Sequence, residues 1–184
     1  MFNAIQSRRL VQAGAYFAGL ALSLFISQAA YAGGHLASER AAQAADSATV
    51  LAEVLAGDHR SDEIKARDPS RHPAETLAFF GMEPDMAVIE ITPSAGWYTQ
   101  VIAPYIAKRG GTYYAAHIDP NGAPEFMLRG LERFEEMVSD PVYGDVSIVA
   151  HGANVEDMVP EGTVDMVVTF RNIHNWMPRE FAEK

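Results

Sequence analysis

The chain has 184 residues, 14 of them basic and 24 acidic, for a formal charge of −10, and it contains no cysteine. Without thiols there are no disulfides, zinc–thiolate sites or cysteine nucleophiles. The acidic excess also argues against nucleic acid or an anionic membrane surface as partner, because both require clustered Lys and Arg.

At the N-terminus, Arg8 and Arg9 precede a mostly apolar run from Leu10 to Ile26, and Ala30-Tyr31-Ala32 places small residues at cleavage-site spacing. This predicts a secretory signal peptide over residues 1–32 and a periplasmic or secreted mature protein with no stable membrane anchor. Gln12, Gly14, Gly19 and Ser23 interrupt the run, which falls short of the roughly 20 strongly apolar residues of a spanning helix. A retained anchor is the alternative. Cleavage after Ala32 removes Arg8 and Arg9 and leaves 12 basic residues (14 − 2) against 24 acidic ones, a charge of −12. The remaining length, about 150 residues, suits one domain with a real core.

Residues 33–73 read as a helical and charged lead-in. Ala37 to Ala56 is Ala-rich and helical in pattern, with Leu51, Val54 and Leu55 on its apolar side. Asp58 to Pro73 is highly charged and ends in Arg71-His72-Pro73. The domain proper is placed over residues 74–184. Ala74 to Phe80 predicts a short helix closed by Gly81. A first strand follows over Met86–Ile91, then a helix over Gly96–Lys108 stopped by Gly110-Gly111. Thr112–Ile118 predicts a second strand, Ala123–Val138 an amphipathic helix, Val146–Ala150 a third strand and Val164–Phe170 a fourth. This alternation predicts an α/β fold, a Rossmann-like doubly wound parallel sheet. In such sheets the ligand lies beyond the carboxyl ends of the strands, so those positions are the candidates.

Glu90 ends the first strand, and Thr92-Pro93-Ser94-Ala95-Gly96 turns into the next helix with small residues that let backbone N–H groups face a polar ligand. Two of the three positions where a nucleotide-binding turn carries glycine are here Thr92 and Ser94, whose side chains narrow the approach. Asp119 follows the second strand, Asn154 the third, and Arg171-Asn172-Ile173-His174-Asn175-Trp176 the fourth. His117, His151 and His174 each lie at or just past a strand end, yet lack the local spacing of metal ligands. No metal is predicted. Trp97, Tyr98, Tyr105, Tyr113 and Tyr114 read as packing, with Trp97 and Tyr98 also positioned to line a pocket.

Three blocks resemble a family of exported predicted methyltransferases, close in fold to class I S-adenosylmethionine-dependent enzymes. The first runs from Arg71-His72-Pro73-Ala74-Glu75-Thr76 through Phe80-Gly81 into Val88-Ile89-Glu90-Ile91-Thr92-Pro93-Ser94-Ala95-Gly96-Trp97-Tyr98-Thr99. The second is Tyr114-Ala115-Ala116-His117-Ile118-Asp119-Pro120, and the third is Thr169-Phe170-Arg171-Asn172-Ile173-His174-Asn175-Trp176-Met177. The resemblance spans the chain from about Gly57 onward. It implies S-adenosylmethionine as cofactor and a small-molecule substrate, with Glu90, Ser94 and Gly96 at the methionine end. The ribose hydroxyls would fall to an acid ending the second strand. His117 occupies that register and Asp119, two residues on, is the candidate by chemistry. Asn154 matches the position that meets the adenine amine; its alternative role is to cap a turn. Arg171, Asn172 and His174 stand where the acceptor would meet the methyl group. Methyl transfer depends mostly on alignment, with a base required only when the nucleophile carries a proton, and His174 is the candidate base. The other reading of His174 and Trp176 is packing beneath the turn. A full class I domain has further strands, so the sequence reads as truncated after the fourth. A non-catalytic binding domain of the same fold is the competing expectation.

Overall fold

The computed structural model describes residues 35–152 and 158–177. The predicted signal peptide lies outside them. The chain divides into two compact units, Met1–Asp46 and Ser47–Lys184. In the first unit, residues 35–46 are helical and exposed. In the second, helix continues to residue 56, and this stretch (α1, residues 35–56) buries Val50, Leu51 and Val54 in the core, the apolar side expected from the spacing.

The charged stretch after α1 belongs to the same compact unit as the sheet. It forms two single-turn helices, α2 (Asp62–Lys65) and α3 (Asp68–Arg71), which the sequence pattern did not predict. Neither is long enough to be stable alone. Arg60, whose side chain is fully buried, fastens α3 to the end of α1. Its guanidinium donates to both Asp68 carboxylate oxygens at 2.9 and 2.5 Å and to the Leu55 carbonyl at 2.8 Å. A planar fork matches a carboxylate in this bidentate way. Trp97 Nε1–H donates to the Ile64 carbonyl at 3.3 Å, which ties α2 to the domain's central turn.

Helix α4 (Pro73–Phe80) leads to a four-stranded sheet of β1 (Ala87–Ile91), β2 (Thr112–Ile118), β3 (Val146–His151) and β4 (Met166–Val168). All strands are parallel and their order is β3-β2-β1-β4. The chain thus moves outward from β1 through β2 to β3 and returns on the other side of β1 as β4. The direction of winding reverses between β1 and β4, which makes their carboxyl ends the topological switch point of the sheet. Helices α5 (Thr99–Ala107) and α6 (Glu125–Val138) make the crossovers, and α7 (Ile173–Trp176) follows β4. Leu131, Phe134 and Val138 form the buried stripe of α6, at the spacing that puts side chains on one face.

Alternation along each strand divides the core. Val88 on β1 and Tyr113 and Ala115 on β2 join α5 in the main cluster, whereas Ile89, Ile91 and Ala116 pack on the opposite face with Val149, Val159 and Val164. Glu90 shares the parity of Val88 and therefore points into the main core. The α/β parallel sheet and the leading helix agree with the sequence reading. Helix α5 starts three residues later than expected because Gly96 and its neighbours are used in a turn. Strand β4 is shorter than expected, since only Met166, Val167 and Val168 pair with β1. No described helix is long and apolar enough to cross a membrane.

Asp68→Ala would leave the buried Arg60 guanidinium without its counter-ion. The expected cost is about 3 kcal/mol, seen as a lower urea midpoint with unchanged slope. A loss of about 0.5 kcal/mol or less, as for an exposed pair, would contradict the anchoring role.

Candidate functional site

The turn between β1 and α5 is built from three residues in the left-handed region, Thr92 (φ 56°), Ser94 (φ 57°) and Gly96 (φ 75°). These are the three positions where the sequence reading expected glycine. The backbone therefore takes the conformation glycine allows even where Thr and Ser stand, and a non-glycine residue there is strained by about 1–2 kcal/mol. At Gly96 space is also limiting, because a Cβ would sit 2.5 Å from Met137 Cε and 3.2 Å from Phe134 Cε2 on α6.

Hydrogen bonds from both neighbouring strands hold this turn. On the β2 side, His117 Nδ1 accepts the Ile118 backbone N–H at 2.9 Å, so the ring proton is on Nε2, which donates to the Ser94 carbonyl at 3.1 Å. Burial lowers the His117 pKa, and the ring is a neutral strut. On the β4 side, the buried Asn172 donates from Nδ2 to the Thr92 carbonyl at 3.0 Å and to Thr169 Oγ1 at 3.0 Å, while Thr169 Oγ1 donates to the Ile91 carbonyl at 2.9 Å. Asn172, a candidate catalytic residue by sequence, acts here as a bracket between two loops.

A cavity of ≈ 270 Å³ opens between the ends of β1 and β4. Glu90, Ser94, Arg171 and Asn172 line it, as the sequence reading required of a shared site. Arg67, Arg71, Trp97, Tyr98, Phe170 and Asn175 line it as well, with Thr92, Pro93 and Ala95 of the turn. Tyr98 and Phe170 stack face to face, and the Arg71 guanidinium lies 4.3 Å from the centroid of the Trp97 ring. Glu90 is almost wholly buried. Its Oε2 accepts hydrogen bonds from Thr99 Oγ1 at 2.9 Å and from the Tyr113 hydroxyl. Desolvation pushes its pKa from 4.5 to about 7 against the opposing pull of these two donors. Both bonds use the same oxygen, Oε2.

A second cavity of ≈ 430 Å³ lies on the β2 side of the turn and shares Thr92, Ser94 and Ala95 with the first. Its other walls are largely apolar, with Ile118, Phe126, Met127 and Phe134 beside His117 and Arg133. A larger cavity of ≈ 520 Å³ lies at the opposite end of the sheet, around Gly111, Thr112, Tyr143 and Gly144. Parallel sheets bind ligands at the carboxyl end of their strands, so the smaller pair around the strained turn forms the candidate site.

Two further sequence candidates stand apart from the β1–β4 cavity. Asp119 lies just beyond β2, where its Oδ1 accepts both the backbone and the side-chain N–H of Asn121 at 2.9 and 2.8 Å. His174 is exposed on α7 and is not among the residues lining either cavity. Asn154 lies outside the described residues. Among the described residues no group of three His, Asp or Glu side chains is placed to hold a metal ion. The sequence reading missed Arg67 and the role of Arg71. Arg71 stands at the start of the first resembling block, but nothing local marks either one as a cavity wall. No family model, curated protein or solved structure matches this chain.

Opposite outcomes are expected at two positions of the turn. Ser94→Gly relieves left-handed strain and is expected to raise stability by about 1 kcal/mol. Gly96→Ala adds both strain and a clash with Met137 and is expected to lower it by about 2 kcal/mol or more. Urea unfolding of both variants checks this, and a destabilised Ser94→Gly would contradict the described backbone.

The carboxyl of Glu90 gives a pH dependence with a definite sign. The folded chain keeps a proton at Glu90 that the unfolded chain releases between pH 4.5 and about 7. Stability therefore falls as pH rises through that window, by about 3 kcal/mol in all, and levels off above it. Glu90→Gln retains an acceptor for Thr99 and Tyr113 without the charge, so it is expected to remove most of this decline in urea midpoints. The same decline in the variant would locate the proton elsewhere.

Proposed function

We propose that this chain is an exported methyltransferase of the class I type, using S-adenosylmethionine and acting on a small-molecule acceptor. The observation that carries the reading is the left-handed backbone at Thr92, Ser94 and Gly96 beside a buried acid at the end of β1. Strain of this kind is retained where the surrounding structure enforces it, and it concentrates at ligand sites. Here His117 and Asn172 enforce it, which supports a turn shaped for a ligand and not merely tolerated.

The donor set suits the cofactor. Once ionised, above about pH 7, Glu90 can accept from an ammonium group, and the turn's backbone has the glycine-like conformation of a ligand-binding turn. The two cavities flanking the turn differ as the two ends of the cofactor do, with a polar cavity on the β4 side for the amino-acid end and an apolar one on the β2 side for the nucleoside. The cofactor would supply an electrophilic methyl group. The chain's part is to hold and align, with Glu90, Ser94 and Gly96 at the turn and Arg171 at the acceptor's approach. The resemblance of the three sequence blocks to exported methyltransferases supports the same reading.

A second reading, a non-catalytic binding domain of the same fold, is favoured by one observation. No imidazole lines the β1–β4 cavity, since His174 is exposed elsewhere and His117 is committed to Ser94.

Calorimetric titration of the folded chain with S-adenosylmethionine and with its demethylated product separates the readings. The methyltransferase reading expects a Kd of about 10 µM, weakened at least about tenfold by Glu90→Ala. A folded sample that binds neither compound at about 1 mM favours the second reading.

A further inference from the structure

We propose that the cavity between β1 and β4 binds a small molecule bearing at least two oxyanion groups, carboxylate or phosphate, held by Arg67, Arg71 and Arg171. Three arginines line this one cavity, with the charges of Arg67 and Arg171 close enough to act on Arg71, in a chain of net charge −10. Among the described residues none of the three forms an ion pair, whereas Arg60, Lys108 and Arg129 pair with Asp68, Glu53 and Glu125. Asp68 lies between Arg67 and Arg71 in sequence and is the nearest acid along the chain, but it is engaged in both directions by the buried Arg60. The Glu90 carboxylate spends Oε2 on Thr99 and Tyr113 and forms no salt bridge with any of the three arginines.

Like charges placed together with no counter-ion cost stability unless an anion joins them. That repulsion is felt at Arg71, whose pKa is lowered by burial first and then by Arg67, with a smaller part from Arg171. The geometry of the groups fits binding. The Trp97 ring holds Arg71 from one face, an interaction that uses none of the guanidinium's N–H donors and leaves its edge for a planar oxyanion. Arg171 projects from a residue held at φ 61°, next to Asn172, which is fastened to the β1 turn. Its position is therefore fixed by the fold although its side chain is exposed.

Three cations exceed what the single carboxylate of S-adenosylmethionine can neutralise, and that cofactor also carries positive charge of its own. The surplus assigns a second, polyanionic ligand, whose role as methyl acceptor rests on the reading proposed above. An ionised oxygen has no proton to surrender, which fits a cavity lined by no imidazole.

Titration of the full chain with tricarballylate and, separately, pyrophosphate tests the inference and distinguishes carboxylate from phosphate. At least one is expected to bind, with affinity that falls as salt is raised and that drops about tenfold or more in the double variant Arg67→Gln/Arg171→Gln. Both sites are exposed and the substitution relieves like-charge repulsion, so this variant should show a urea midpoint no lower than the parent's, and the comparison is between folded proteins. Absence of binding by both probes at about 10 mM, or equal affinity in the double variant, overturns the inference. If S-adenosylmethionine binds and neither oxyanion does, the anion site fails while the methyltransferase reading stands. If an oxyanion binds and the cofactor does not, the anion site stands and the methyltransferase reading fails.

Discussion

The turn after β1 depends on two backbone carbonyls being held from opposite sides, Ser94 by the His117 ring and Thr92 by the Asn172 amide. Without those bonds Thr92 and Ser94 would relax from the left-handed region, where each is disfavoured by about 1–2 kcal/mol. The holding groups come from β2 and from the loop after β4, the two strands that flank β1 in the sheet. Strand order thus fixes the turn's conformation, and the turn in turn forms the wall shared by both cavities. Gly96 completes it by letting α6 approach as closely as Met137 and Phe134 do.

Charge is sorted by the same folding events. The stretch around α2 and α3 carries acids and bases in near balance, and in an extended chain they would screen one another. Folding buries Arg60 and commits Asp68 to it, which leaves Arg67 and Arg71 facing the end of the sheet with Arg171. A buried ion pair is weak evidence for net stability. Here its consequence is spatial, since it takes one acid and one base together and leaves Arg67 and Arg71 without their nearest acid, beside Arg171 at the cavity. Trp97 links the two halves of this arrangement, donating to α2 through its indole N–H and supporting Arg71 with its ring.

Much of the fold was legible because each element carries its own local signal. Thr112–Ile118 matches β2 residue for residue, and the apolar spacing of Leu131, Phe134 and Val138 locates α6. The single turns α2 and α3 have no periodicity to read, because an ion pair from Arg60 to Asp68 and a hydrogen bond from Trp97 to Ile64 hold them in place of a repeating apolar face. Glu90, Ser94 and Arg171 do come together at one cavity, as their places at strand ends implied. Thr92 and Ser94 looked like departures from a glycine turn, since residue type alone does not reveal tertiary bonds that force a backbone into the same shape. Asn172 was singled out for its polarity, but its amide is taken up by Thr92 and Thr169. Of the three arginines only Arg171 was legible, from its place after the fourth strand. Arg67 and Arg71 lie in a charged run that reads as a solvated face, and nothing in their spacing points to a loop beyond β4.

The central claim is that the strained turn and the ends of β1, β2 and β4 form one ligand site. Amide chemical shifts of the isotope-labelled chain, followed during titration with S-adenosylhomocysteine, test this most directly. The largest changes are expected at Thr92 to Gly96, His117, Arg171 and Asn172. Changes confined to the other end of the sheet, around Gly111, Thr112 and Gly144, would contradict the account.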